Sequence, residues 1–223
     1  MQFKKSSCHD LQNLKDNNNI DWFAETKPTF KQAQDNAKEL YATIRGNLEK
    51  HDEIDKFKLF RIYRDVRFSK DKTPYQPHFA GSFSRLGKHL RGGYYLRIRP
   101  GESFLAGGFW QPEKDDILRI RKEIEQDASE IREILADKNF NTYFGNTFDG
   151  EELKTAPRGF DKNHPDVDLL RKKGFIAVRN FTDAEVLDAN FLSEVDKSYK
   201  ALRPFFDLFS DILTTNLNGE SIL

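Results

Sequence analysis

Between residues 59 and 110 apolar side chains fall at every second position, in short runs divided by glycine and proline. In residues 59–68, Phe60, Ile62, Val66 and Phe68 fall on one side and Arg61, Tyr63, Asp65 and Arg67 on the other. In 78–84, Phe79 and Phe83 oppose His78, Ala80 and Ser82; in 94–99, Tyr94, Leu96 and Ile98 oppose Tyr95, Arg97 and Arg99. Residues 103–110 make a fourth run, and 175–181 are a candidate fifth. A two-residue period is the signature of a strand with one covered and one wetted face. The connections contain Pro74, Gly92–Gly93 and Pro100–Gly101 and are short, which favours an antiparallel meander.

Outside these runs the spacing is helical. Phe30, Ala33, Ala37, Leu40, Tyr41, Ile44 and Leu48 give an apolar stripe over 28–50, with Pro28 expected in its first turn. Ile117, Ile120, Ile124, Ile131 and Leu135 do the same for 112–137. A third stripe runs from Val195 to Leu213 within 193–214, where Pro204 should kink or split the helix. Leu11, Leu14 and Lys15 suit a short helix closed by the Asn17–Asn19 run. The expected fold is α+β: an antiparallel meander of four to five strands packed on one face by helices, with residues 1–223 forming a single domain. The apolar fraction is only 37%, but 20 phenylalanines compensate, because a few large rings bury much area.

The polar sides of the runs carry the feature of most interest. If the apolar sides face helices, Arg61, Arg67, Arg97 and Arg99 share one face with Asp65, Tyr95 and His78. Guanidinium forks match phosphate and carboxylate bidentately, so this face is the expected site for a small anionic ligand, rimmed by Lys72, Tyr75 and Arg158. Should chemistry occur there, Asp65 or His78 would be the first general-base candidate. The alternative is a surface network in which the arginines pair with Asp65, Asp71 and helix acids, with an exposed helix docking a protein partner. Arg64 falls among the apolar residues and needs a partner, most simply a carboxylate from a helix.

Several classes are disfavoured. Basic and acidic residues number 36 each, so any polyanion site must be local, and nucleic acid is an unfavoured partner. Single-stranded nucleic acid on the arginine and tyrosine face is the weaker alternative. Cys8 is the sole cysteine, which suits a reducing compartment. No signal peptide follows Met1, and no apolar run is long enough to cross a bilayer, so a cytoplasmic location without membrane attachment is expected. No P-loop, dinucleotide glycine fingerprint or HExxH occurs; neither metal nor cofactor is expected. Gly107–Gly108 mark a strand bulge or a close approach by a ligand. His164, Asp166 and Asp168 read as a loop leading into a helix capped by Asp166, since their spacing fits no metal pattern.

The stretch Arg61-x-x-Arg64-Asp65-x-Arg67-Phe68 with Asp71-Lys72-x-x-Tyr75 resembles the domain of unknown function 2461 family, conserved hypothetical proteins of about this length found mainly in bacteria. Trp22-Phe23, Lys27-Pro28, Tyr94-Tyr95, Pro100-Gly101-Glu102, Gly107-Gly108, Pro157-Arg158-Gly159-Phe160 and His164-Pro165 extend the resemblance over nearly the whole chain. The resemblance implies no activity, substrate or cofactor, so it assigns no catalytic residue.

Overall fold

The computed structural model describes all residues, Met1–Leu223. Its centre is an open five-stranded antiparallel sheet in which spatial order equals chain order: β1 (Ile54–Leu59), β2 (Phe79–Arg85), β3 (Gly93–Ile98), β4 (Ser103–Phe109) and β5 (Phe175–Phe181). The helices around it are α1 (Lys5–Asp16), α2 (Ile20–Leu48), α3 (Lys114–Gln126), α4 (Ser129–Ala136), α5 (Lys138–Phe144), α6 (Val167–Leu170), α7 (Asp183–Leu187), α8 (Phe191–Ala201) and α9 (Arg203–Thr214). The fold class is α+β, as the alternation of spacings implies. The chain gathers into two compact units. One comprises Met1–Phe83, Tyr95–Leu105 and Asn180–Lys197; the other comprises Ser84–Tyr94, Ala106–Arg179 and Ser198–Leu223.

In the first unit α2 covers the inner side of the strands. Its stripe from Phe30 to Leu48 is buried throughout. Tyr41 lies nearly parallel to Phe57 of β1 and Phe83 of β2, 6.4 Å from each. Its hydroxyl reaches the carbonyl oxygens of Phe79 (3.0 Å) and Leu96 (2.9 Å), so one side chain ties β2 to β3 from below. Gly81 makes room for this ring: a Cβ there would sit 2.7 Å from Tyr41 Cδ1. The helix begins earlier than Pro28. Asn19 caps it, its side chain accepting from the Trp22 N–H at 2.9 Å, and Asp21 adds favourable charge to the first turn. Pro28 therefore lies inside the helix. The carbonyl it leaves unpaired belongs to Ala24, and both residues are exposed, so water can replace the lost bond.

The first strand is the main correction. It spans Ile54–Leu59, not 59–68. Phe57 faces inward against Phe83 at 5.0 Å, which turns Lys56, Lys58 and Phe60 outward. The alternation after Phe60 serves a local hairpin instead. Gln76 N donates to Ile62 O (2.6 Å), Arg64 N donates to Pro74 O (2.9 Å), and Tyr63 bridges Tyr75. Asn18 holds the returning arm with both ends of its amide, donating to Tyr75 O (2.9 Å) and accepting from Tyr75 N (3.1 Å). At the tip Phe68 is 96% exposed.

In the second unit the phenylalanines form the core. Phe205 meets Phe148 at 4.8 Å and Phe209 at 4.7 Å, and Phe175 meets Phe209 at 5.1 Å. Burying each such ring contributes ~1.5–3 kcal/mol. The expected helix over 112–137 is divided at Asp127, whose carboxylate turns back to accept from the Ser129 N–H at 2.8 Å, while the stripe Ile120, Ile124, Ile131 and Leu135 stays buried. Pro204 splits the last stripe into α8 and α9 as its chemistry requires. Gly107 and Gly108 admit the protein itself. A Cβ on Gly107 would fall 2.2 Å from Leu202 Cδ1, and one on Gly108, at φ 142, 2.2 Å from the Phe175 carbonyl oxygen. The guanidinium of Arg85 is fully buried here, donating to Asp207 (2.7 Å) and Arg91 O (3.1 Å). Lys172 is likewise buried, on Glu152 and Phe148 O, each at 2.6 Å. Asp166 stands at the N-cap position of α6, but its side chain binds Arg132 (2.8 Å) rather than the backbone, and Asp168 joins the same guanidinium at 2.6 Å.

Candidate anion site on the outer sheet face

On β3 the alternation holds residue by residue. Tyr94, Leu96 and Ile98 are buried, while Tyr95, Arg97 and, just past the strand, Arg99 point to the other side and stay partly exposed. The β3–β4 turn then brings a carboxylate to the arginines. Gly101 takes the positive φ of 76° that the turn needs, and its N–H donates to Asp183 at the start of α7 (2.8 Å). Ser103 binds both the N–H and the carbonyl of Arg99 (3.0 and 2.9 Å), which fixes the turn at its base. Arg97 lies over the Phe104 ring, 4.5 Å from its centroid, and donates to the Glu102 carbonyl at 3.1 Å. The Glu102 carboxylate sits 3.2 Å from Arg99 and 3.6 Å from Arg97, and remains about half exposed.

His78, just before β2, faces the same two guanidiniums. Burial first, then the Arg97 and Arg99 charges, lower its pKa from 6.5 to about 4, against the opposing pull of Glu102. His78 is therefore neutral at pH 7, and the local count is two positive charges against one negative. His78 Nδ1 and Arg99 Nε are both shielded from solvent without a hydrogen-bond partner. Burial also raises the Tyr95 hydroxyl above its usual range. The two guanidiniums thus keep a net positive charge beside a neutral imidazole, with Glu102 as their one carboxylate partner.

The structure thus brings together Arg97, Arg99, Tyr95 and His78. The other expected members lie elsewhere. Arg61 is exposed just beyond β1. Arg67 grips Asp65 at 2.6 and 2.9 Å, and Lys72 donates to Val66 O at 2.9 Å, all within the 62–76 hairpin. None of Arg61, Asp65 and Arg67 stands on a strand, because the chain leaves the sheet after Phe60. Tyr75 is buried against Phe23 at 4.3 Å, with its backbone held by Asn18. Arg158 is exposed in a turn of the second unit. Arg64 has its carboxylate, but from the same hairpin rather than a helix: it bonds Asp71 and Thr73. The Thr73 N–H and the Arg64 guanidinium together hold Asp71 down to about 2. Glu102, Phe60 and Phe104 were missed. Phe60 falls on the inner face only through the displaced strand, and Glu102 enters the sequence reading only among the residues of the family resemblance.

An open five-stranded antiparallel sheet with helices packed around it places the chain among α+β proteins. The chain belongs to the family described as conserved hypothetical protein (DUF2461), whose model matches residues 8–208. No curated protein and no solved structure matches it significantly. No helix is long and apolar enough to cross a membrane.

Proposed function

We propose that the protein binds an anionic ligand, bearing phosphate or carboxylate, between Arg97 and Arg99 beside His78, with the Glu102 carboxylate occupying that position when the ligand is absent. The supporting observation is the under-filled state of the two guanidiniums. They share one half-exposed carboxylate, and Arg99 Nε and His78 Nδ1 keep buried nitrogens without partners. Other arginines are used differently. Arg132 takes two carboxylates, and Arg121 donates to the carbonyls of Leu170 and Lys172, each at 2.9 Å. A buried donor without a partner costs ~1–3 kcal/mol.

The test is thermal unfolding with and without inorganic phosphate. At a hundred times its Kd a ligand adds ~2.7 kcal/mol, a shift on the order of 5–10 °C for a chain of this size. The shift should vanish in the Arg97→Ala/Arg99→Ala double variant and grow at limiting phosphate in Glu102→Gln. An unchanged phosphate shift in the double variant would sink the assignment.

A further inference from the structure

The anion site stands at one end of a row of aromatic rings. Phe60 after β1, Tyr95 of β3 and Phe104 of β4 lie on the same outer side, with centroids 6.4 and 5.5 Å apart and planes tilted by 44° and 34°. The rings of β1 and β3 meet across β2 because the residue between them is small: Phe60 N donates to Ala80 O at 2.8 Å, and Ala80 is 2% exposed beneath the pair. These rings add nothing to the inner core, which has its own set in Tyr41, Phe57 and Phe83. Phe60 is 37% exposed, an apolar surface left on the wetted side of a sheet. Cations flank the row at both ends, Lys58 Nζ 5.3 Å from the Phe60 centroid and Arg97 over Phe104. Lys56 shares this outer side and has only its exposed neighbour Asp55, at 3.7 Å. The balanced charge of the whole chain therefore conceals a local excess of Lys56, Lys58, Arg97 and Arg99 over Asp55, Glu102 and Asp183.

Resting on the anion-binding reading, we infer that the ligand carries a planar ring beside its anion: a nucleotide, free or as one unit of a single strand, with its base on the Phe60–Tyr95–Phe104 row and its phosphate at Arg97 and Arg99. A simple carboxylate or sugar phosphate would use the guanidiniums and leave the ring row bare. A base has a π-face for stacking and a phosphate within the same unit, and sheet-borne aromatics with neighbouring arginines accept such units with little regard to base identity. The strand form would also engage Lys56 and Lys58 through further phosphates, with the salt dependence that counterion release imposes.

The experiment titrates the full chain with inorganic phosphate, adenosine monophosphate and a short thymidylate oligonucleotide at low and moderate salt. At least one of the two nucleotide probes should bind roughly tenfold or more tightly than phosphate. Phe60→Ala should weaken that binding about fivefold or more while leaving phosphate affinity unchanged, and the retained phosphate affinity shows that the variant, even if its unfolding midpoint falls, keeps the site folded. A tighter, steeply salt-dependent oligonucleotide identifies the strand as the source; a mononucleotide that binds as well as the oligonucleotide identifies the free form. Phosphate binding that depends on Arg97 and Arg99, with both nucleotide probes no tighter than phosphate and no effect of Phe60→Ala, overturns this inference and leaves the anion site standing. No binding of any probe to wild type or to Glu102→Gln overturns both.

Discussion

Replacing Gly81 by alanine puts a methyl group into space that Tyr41 already fills. The new Cβ would lie 2.7 and 2.8 Å from Tyr41 Cδ1 and Cε1 and 3.2 Å from Lys58 O. Carbon pairs settle at ~3.5–4.0 Å, so the overlap is roughly 1 Å. The ring has little freedom to retreat. Its hydroxyl is held at the Phe79 and Leu96 carbonyls, and Phe57 and Phe83 lie alongside it. Alanine in a strand recovers ~0.5–1 kcal/mol of backbone entropy relative to glycine. Overpacking a fixed site costs ~1–3 kcal/mol, and the pinned ring argues for the upper end. The expected net loss is about 2 kcal/mol, or ~4–8 °C in Tm for a chain of this size. Urea unfolding followed by near-ultraviolet circular dichroism reads both the loss and the altered ring environment. A second background isolates the cause. Tyr41→Phe removes the hydroxyl and frees the ring to pivot, so Gly81→Ala should cost less there by ~0.5–1 kcal/mol. An alanine variant as stable as wild type, or one with the same cost in both backgrounds, refutes the claim that Gly81 exists to admit a tethered ring.

His78 should report its surroundings through pH. Its folded pKa of about 4 lies below the unfolded 6.5, so as pH falls the unfolded chain takes up the proton first and stability drops through the window between those values. That gap is worth ~3 kcal/mol for a fully buried ring and ~1–2 for this half-buried one, and His78→Gln should remove this part of the slope. The imidazole resonances should titrate near pH 4 in the folded protein; a midpoint near 6.5 would show that burial and the two guanidiniums are not felt. Asn18→Ala should cost ~1–3 kcal/mol, because it leaves the Tyr75 N–H and carbonyl short of a partner in a half-buried setting. Amide exchange at Tyr75 is the check, and unchanged protection there would mean that the 62–76 hairpin closes without the clamp.

The antiparallel meander was legible from its short connections, and the inner side of the sheet because burial there obeys a simple period. Tyr94, Leu96 and Ile98 are inward and Tyr95, Arg97 and Arg99 outward, as alternation requires, and the stripe of α2 is buried from Phe30 to Leu48. The first strand was misplaced for a physical reason. Asp55-Lys56-Phe57-Lys58 carries charge where it is wetted and reads as loop, whereas Phe60-Arg61-Ile62-Tyr63 alternates more strongly yet serves only a narrow hairpin. The same slip moved Phe60 to the wrong side and supplied Arg61 and Arg67 to a face they do not reach. Pro28 looked like a helix start because sequence cannot tell that the carbonyl it orphans, Ala24's, is open to water. Glu102 stands out only through the family resemblance, since its pairing with the arginines follows from how the Gly101 turn is tied to Asp183.

That tie bears on kinetics. The turn is anchored at Gly101 and Ser103, and the Glu102 carbonyl is engaged by Arg97, so the backbone around Glu102 has no need to move when its carboxylate leaves the arginines. Only a half-exposed side chain must change rotamer, an event of picoseconds to nanoseconds. An incoming anion would meet no slow gate. Its association rate would follow encounter and charge steering, and differences among ligands would be expressed almost entirely in how long each one stays.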